Sequence, residues 1–392
     1  MRTRAIRLAN WLSDHQHCTM LRRNMWNETN IVEITKTTRP GMCIITLRRS
    51  DSCELFVTAR PLAGEPIEAL FDRASQPIRE CNGRVVNQDV FHIGRHHEAA
   101  ESHLRDCLGP IAWPITWLED DNGERPLAGT FIHAVAGTGV EVIALRNRIV
   151  GCVWEDEYAR YATVADLRDE DISRPKPQQA RRVFADMVGA LRQVGMDFSH
   201  VGRTWLYNND ILSWYDEFNH VRTSFFRENG VFDGVVPAST GIGGRNPFGA
   251  ALMGAFVAVK PKSAGVSVNA VPSPLQCSAR EYGSSFSRAV EFVTPDHRRL
   301  WVSGTASIDP QGATAHVGDA RGQIEWTMRV VEAILKSRGM NWDDVVRAAA
   351  YIRHYKDAAV FEDYCQTAGF PPLPVVLTNN TVCREELLFE IE

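Results

Sequence analysis

The sequence predicts an α+β fold made of two similar tandem domains. Three observations carry this. The chain has 392 residues, more than one compact core usually holds. With 44% hydrophobic and 23% charged residues, its composition is that of a globular protein. One supersecondary unit also occurs twice. QARRVFADMVGALRQVGMDFSHVGRTWLY (179–207) aligns without gaps with QIEWTMRVVEAILKSRGMNWDDVVRAAAY (323–351), at a constant offset of 144, 323 minus 179. The match pairs Gln179 with Gln323, Gly195 with Gly339, Arg203 with Arg347 and Tyr207 with Tyr351. Each copy reads as an amphipathic helix, a glycine suited to its C-terminal cap, a short acidic turn and a strand. An aromatic-rich second helix follows in both, SWYDEFNHVRTSFF (213–226) and AAVFEDYCQTAGF (358–370).

Residues 1–50 read as an N-terminal extension, 51–235 as the first domain and 236–392 as the second. The extension opens basic, and Asp14, His15 and His17 break its apolar residues, so no secretory core forms. It reads as a loosely attached, disordered or amphipathic segment. The body begins near Glu54. ELFVTARPL alternates as a strand and PIEALFDRAS has helical spacing, while GTFIHAVAG and EVIALRNRIVGCVWED read as strands. Two prolines make ISRPKPQ (172–178) a loop. The last segment, VCREELLFEIE (382–392), alternates as a strand. Leu387, Phe389 and Ile391 point one way, and Leu388, Glu390 and Glu392 the other. That parity sets Arg384 opposite Cys383.

Several function classes are excluded. A net charge of -5 and a pI near 6.2, with no basic stripe, argue against nucleic acid. The apolar run GAALMGAFVAV (249–259) is shorter than the roughly 20 residues that cross a bilayer. Nine cysteines without CxxC pairs read as free thiols in a reducing cytoplasm. In FHIGRHHEAAESH (91–103), His92/His96 and His97/Glu101 have i,i+4 spacing, but Gly94 weakens a helix there, so the segment reads as a surface histidine cluster and no metal is expected. STGIGGRNPFGA (239–250) lacks both nucleotide-loop spacings. Its Gly243 and Gly244 could instead let backbone N–H groups approach an anion, or simply form a tight turn.

Longer motifs resemble a known family. LWVSGTASIDPQG, the helix opened by Gln323, Gly339-Met340, Tyr351 and a final strand with Glu390 resemble the YjgF/RidA-like superfamily. RTWLYNNDILSWYDEFNHVRTSFFRENG, PASTGIGGRNPFGAALMGAFVAVKP and SPLQCSAREYGSSFSRA are similar to its chorismatase branch, over roughly residues 54–392. PPLP (371–374) stands where deaminase-type members carry an arginine. The resemblance implies two chorismate-mutase-like domains, each a mixed β-sheet packed on two helices, with the active site in the second. It implies cleavage of chorismate to pyruvate and 3-hydroxybenzoate, with 4-hydroxybenzoate as an allowed further product. No cofactor is implied, and a monomer is expected, because fused units could close a pocket within one chain. The rival readings are hydrolysis to a trans-dihydroxycyclohexadiene carboxylate and a non-catalytic RidA-like binding protein.

Glu390 is the candidate acid. Apolar neighbours would raise its pKa, and the family's glutamate lies on the last strand. By resemblance, Cys383 lines the pocket and selects the product; the alternative is a buried structural cysteine. Arg222 and Arg245 are candidate carboxylate ligands. Arg203, matched by Arg347, reads as structural. Tyr207 and Tyr282 are candidate phenol donors or core tyrosines, and Arg384 is a loosely held candidate beside Cys383.

Overall fold

The computed structural model describes residues 32–120 and 127–392, without the side chains of Arg95 and Tyr282. One topology recurs three times. In the first unit the strands are Glu33–Arg39, Met42–Arg48, Cys53–Ala59, Arg84–Phe91, Ile115–Leu118 and Gly129–Ala136, with helices Ile67–Glu80 and His97–Leu108 flanking the fourth. Numbered one to six along the chain, they lie in the order 1-2-3-6-4-5. The second unit repeats that order with strands Glu141–Leu145, Arg148–Glu155, Ala159–Leu167, Val201–Asn208, Ala238–Gly243 and Leu252–Pro261. Its helices are Lys176–Gln193 and Tyr215–Glu228. In the third unit, strands one to three are Ser267–Val271, Ala289–Val293 and Arg298–Val302. The third breaks, resumes as Thr305–Ala306, and leads to Ala348–Ile352, Val375–Asn379 and Phe389–Ile391. Helices Ala320–Ser337 and Ala358–Thr367 complete it. In every unit strands four and five are parallel and the other pairs antiparallel.

The tandem α+β architecture is therefore present, and its unit count rises to three. Three boundaries differ from expectation. Residues 33–48 form the first two strands rather than part of an extension; residues 1–31 lie outside the described residues. A cut at 235/236 would split a sheet, because Ala238–Gly243 pairs with Val201–Asn208. The helix after the proline-rich loop starts at Lys176, inside that loop, because a proline in a first turn forfeits no helical hydrogen bond.

The first helix of each unit ends alike. A residue at positive φ, Asn82, Gly195 or Gly339, is followed by an N–H that donates five residues back, to Ile78, Leu191 or Leu335. Asparagine fills the glycine position in the first unit, so its sequence hides the match. On strand four of the second unit, Leu206 packs with the helices while Tyr207 turns to the opposite face. There Phe91, Tyr207 and Tyr351, one from each unit, share a single apolar cluster. Strands four and five of the first unit touch strands two and three of the second, and the second meets the third in the same way. Strand five of the third returns to strands three and six of the first, closing a ring. Among the described residues no helix is long and apolar enough to cross a membrane.

Candidate active site

The terminal segment is a strand only over Phe389–Ile391; residues 383–386 form a bend and turn. Gln323, at the start of its helix, fixes the approach. Its side chain donates to the Glu386 carbonyl at 2.7 Å and accepts from Leu388 N–H at 2.8 Å. Glu390 then faces Tyr351 on one neighbouring strand and Ala306 on the other. Its carboxyl is buried and accepts no hydrogen bond among the described residues, and its pKa is pushed up to about 8. Burial is the main cause, and the Glu392 carboxylate adds to it. The break in strand three makes room for this group, since a Cβ at Gly304 would overlap the Glu390 carboxyl. Gly304 N–H donates to the Ser239 carbonyl (3.2 Å) and Thr240 Oγ1 (3.0 Å), on strand five of the second unit. The acid therefore lies where units two and three meet.

Glu392 lies two residues on and has the opposite environment. Arg203 Nη2 donates to its Oε2 at 2.6 Å, and Thr240 Oγ1 donates to the same oxygen. Arg347 Nη1 and Trp205 Nε1 both donate to Oε1 at 2.8 Å. Although burial opposes it, these two guanidinium groups hold Glu392 below the usual carboxylate range. Arg347 also donates to Asp89 of the first unit at 3.1 Å, so all three units share one buried ion network. The network sits beside a cavity of about 150 Å³ lined by Asn87, Phe131, Trp205 and Arg203.

Cys383 is carried by the turn rather than by a strand, so strand parity does not separate it from Arg384. Its thiol pKa is pushed up to about 12 by burial and the nearby Glu390, so it stays neutral, and it contacts Tyr215. Arg384 instead reaches the Gly312 carbonyl at 2.9 Å. Arg222 is buried on helix Tyr215–Glu228 and bonds Asn219 at 2.7 Å. Its guanidinium lies 5.9 Å from the Phe286 ring, and that of Arg288 lies 5.7 Å from the same ring. Arg288 is also near enough to act on Glu390.

The structure thus gathers Glu390 and Cys383, and sets Tyr207 behind them as a buried phenol held neutral by burial and by Asp89. Other expectations are corrected. Gly243 N–H donates to the Thr381 carbonyl (2.8 Å) and Gly244 N–H to that of Asn208 (3.0 Å), leaving neither for an anion. Their missing Cβ atoms allow close packing against Thr381 and Leu118. Arg245 is exposed beside Glu119. The side chain of Tyr282 lies outside the described residues. Sequence reasoning missed Thr240, Gly304, Arg288 and Tyr215. It also missed Glu392 as the group that tunes Glu390, although strand parity puts the two acids on one face.

Residues 281–392 match the Endoribonuclease L-PSP family model. A chorismatase of Streptomyces hygroscopicus is 28% identical over 215 residues, covering 49% of this chain and 60% of that protein. A 3-hydroxybenzoate synthase from the same organism is 26% identical over 55% of this chain and 68% of its own length. A solved chorismatase structure covers 78% of this chain and 91% of its own, with a TM-score of 0.59 and 20% identity, so the fold extends over most of the ring. Together these similarities support the chorismatase branch of the RidA-like superfamily for this chain. It spans about 60% of the length of the first curated chorismatase it matches. Its buried acid lies where the last two units of the ring meet.

Proposed function

We propose that this protein is a chorismatase that cleaves the enolpyruvyl ether of chorismate, releasing pyruvate and chiefly 3-hydroxybenzoate. The observation that carries the reading is a buried carboxyl, Glu390, that keeps its proton up to about pH 8 at a junction between two units. Cleaving an enol ether needs an acid of that kind. Glu390 protonates the enolpyruvyl methylene, and the resulting cation is stabilised by the ether oxygen. If water adds, pyruvate and a dihydroxycyclohexadiene carboxylate leave, with one water consumed. If the ring hydroxyl displaces the pyruvyl group instead, the ring aromatises and chorismate divides into pyruvate and hydroxybenzoate with no net water.

The remaining roles follow from chemistry. The substrate carries two carboxylates, and the guanidinium groups of Arg222 and Arg288 near Phe286 suit them. Arg203 and Arg347 are committed to Glu392. Cys383, a neutral thiol near the acid, forms an apolar wall that disfavours water capture, consistent with a relative named 3-hydroxybenzoate synthase. The test is incubation of purified protein with chorismate, with pyruvate followed by a coupled assay and the ring product identified by chromatography. Pyruvate with 3-hydroxybenzoate in equal amounts is expected. No pyruvate at high enzyme concentration overturns the reading.

A further inference from the structure

We propose that Asp72, His103 and Cys107 form a divalent-metal site, suited to zinc, on the helical face of the first unit. Nothing in the chorismate reading requires it, and the two stand or fall separately. His103 and Cys107 are four residues apart on helix His97–Leu108, so they share one face. Asp72 faces them from helix Ile67–Glu80, which packs alongside.

The spacing is that of ligands around a small cation. Cys107 Sγ lies 3.1 Å from Asp72 Oδ1, and His103 Nε2 lies 3.3 Å from the same oxygen. All three ligand atoms lie within 4.8 Å of one another. Zinc bonds of about 2.0–2.3 Å at tetrahedral angles put ligand atoms roughly 3.3–3.6 Å apart, close to the two separations from Asp72. One thiolate, one carboxylate and one neutral imidazole neutralise a divalent ion and leave a fourth position for water.

The metal-free chemistry is also incomplete. His103 Nε2 is buried with no aligned hydrogen-bond partner. The Cys107 thiol spends its proton on the Asp72 carboxylate, donating to Oδ1 at 3.1 Å. A cation would satisfy the imidazole and release the thiol proton to solvent. Asp72 is 60% exposed at its side chain, which gives an ion a route in. The sequence reads His92 and His96 as part of a surface cluster rather than a metal site, and among the described residues they form no such site, but His92 is buried. His92 precedes the helix at positive φ, and its Nε2 lies 2.5 Å from Thr378 Oγ1.

Cobalt(II) titration of the full chain tests this. We expect a thiolate-to-cobalt charge-transfer band in the near ultraviolet that saturates at one equivalent and is bleached by zinc. Cys107→Ser should lose the band. Losing a ligand should weaken affinity by at least about tenfold, as outer-sphere losses already do, so His103→Ala and the exposed Asp72→Asn should both show this. Circular dichroism of each variant checks folding, and Asp72→Asn keeps the test valid should a helix-facing change unfold the protein. Pyruvate release should be unchanged in all three. Absence of the band, its persistence in Cys107→Ser, or unchanged affinity in Asp72→Asn overturns the site.

Discussion

Units two and three share a scaffold and differ at the reacting surface. In both, a glutamine at the first helix reaches the loop before strand six: Gln179 accepts from Ala251 N–H, and Gln323 from Leu388 N–H. In both, a glycine at positive φ closes that helix and a tyrosine stands on strand four. Across from those tyrosines the units part. Tyr207 is paired in register with Met253, whereas Tyr351 is paired with Glu390. The first unit has Phe91 opposite Gly129. The ring therefore has three equivalent register positions, and among the described residues only the third carries an acid. Residues that shape the helix-to-strand turn were kept in both copies, while the inward strand-six positions were free to diverge because they do not hold the unit together.

The sharpest way to break this comparison is to make unit three resemble unit two. Glu390→Gln keeps the shape and removes the proton, so pyruvate release should fall by about 10²–10⁴-fold without loss of fold. Steady-state kinetics with circular dichroism reads both, and retained activity would remove Glu390 from the chemistry. Gly304→Ala should come next. Its methyl group would collide with the Glu390 carboxyl and crowd Thr240, displacing the acid from its place between units two and three. Misplacement on this scale costs about 10²-fold in turnover, with a small effect on melting temperature because strand three is already broken there.

Much of this was legible in the sequence. The repeat fixed the helix, cap and strand of two units because those residues answer to local geometry. The burial of Glu390 was legible because strand alternation set it beside Leu388, and the family resemblance pointed to the same position. The first unit was hidden because Asn82 replaces glycine in the left-handed cap, which preserves the turn and erases the motif. The glycine loop misled because glycine also serves close packing, and only the partners of Gly243 and Gly244 decide between the two uses. Arg384 misled because periodicity cannot show a turn within an alternating run. Thr240 and Tyr215 reach the site from the second unit, and Arg288 from just ahead of a strand of the third that is distant in sequence, which no local pattern encodes.

Glu392→Gln probes what tunes the acid and should have a smaller effect on rate. Removing this negative neighbour stabilises the charged form of Glu390, so its pKa falls from about 8. Activity that needs the protonated acid should then decline at lower pH, which moves the alkaline limb of the kcat/KM profile down. An unmoved limb would show that Glu392 does not tune the acid. The change also leaves Arg203 and Arg347 without their buried partner, at a cost of about 3–5 kcal/mol read by denaturant melts. The two acids have opposite linkage signs. Glu390 is raised, so its contribution to stability is present below its unfolded value of 4.5 and is lost as pH rises toward 8. Glu392 is lowered, so its contribution is present above 4.5 and is lost only as pH falls below that value. Comparing wild type with Glu390→Gln between pH 5 and 8 should remove the decline attributed to the first.

Cys383→Ala should have the smallest effect on rate and the most informative effect on product. A thiol held neutral up to about pH 12 is neither nucleophile nor base near neutrality, which leaves volume and weak polarity as its contribution. Alanine opens space for roughly one water beside Glu390, and water in that position adds to the cation before the ring hydroxyl displaces the pyruvyl group. Turnover should change by less than about tenfold, the scale of an altered apolar contact. The ratio of dihydroxycyclohexadiene carboxylate to 3-hydroxybenzoate should rise, as chromatography of the ring products would show. An unchanged ratio would make the cysteine a packing residue like Met253 in the neighbouring unit. A loss as large as that of Glu390→Gln would move it into the chemistry itself.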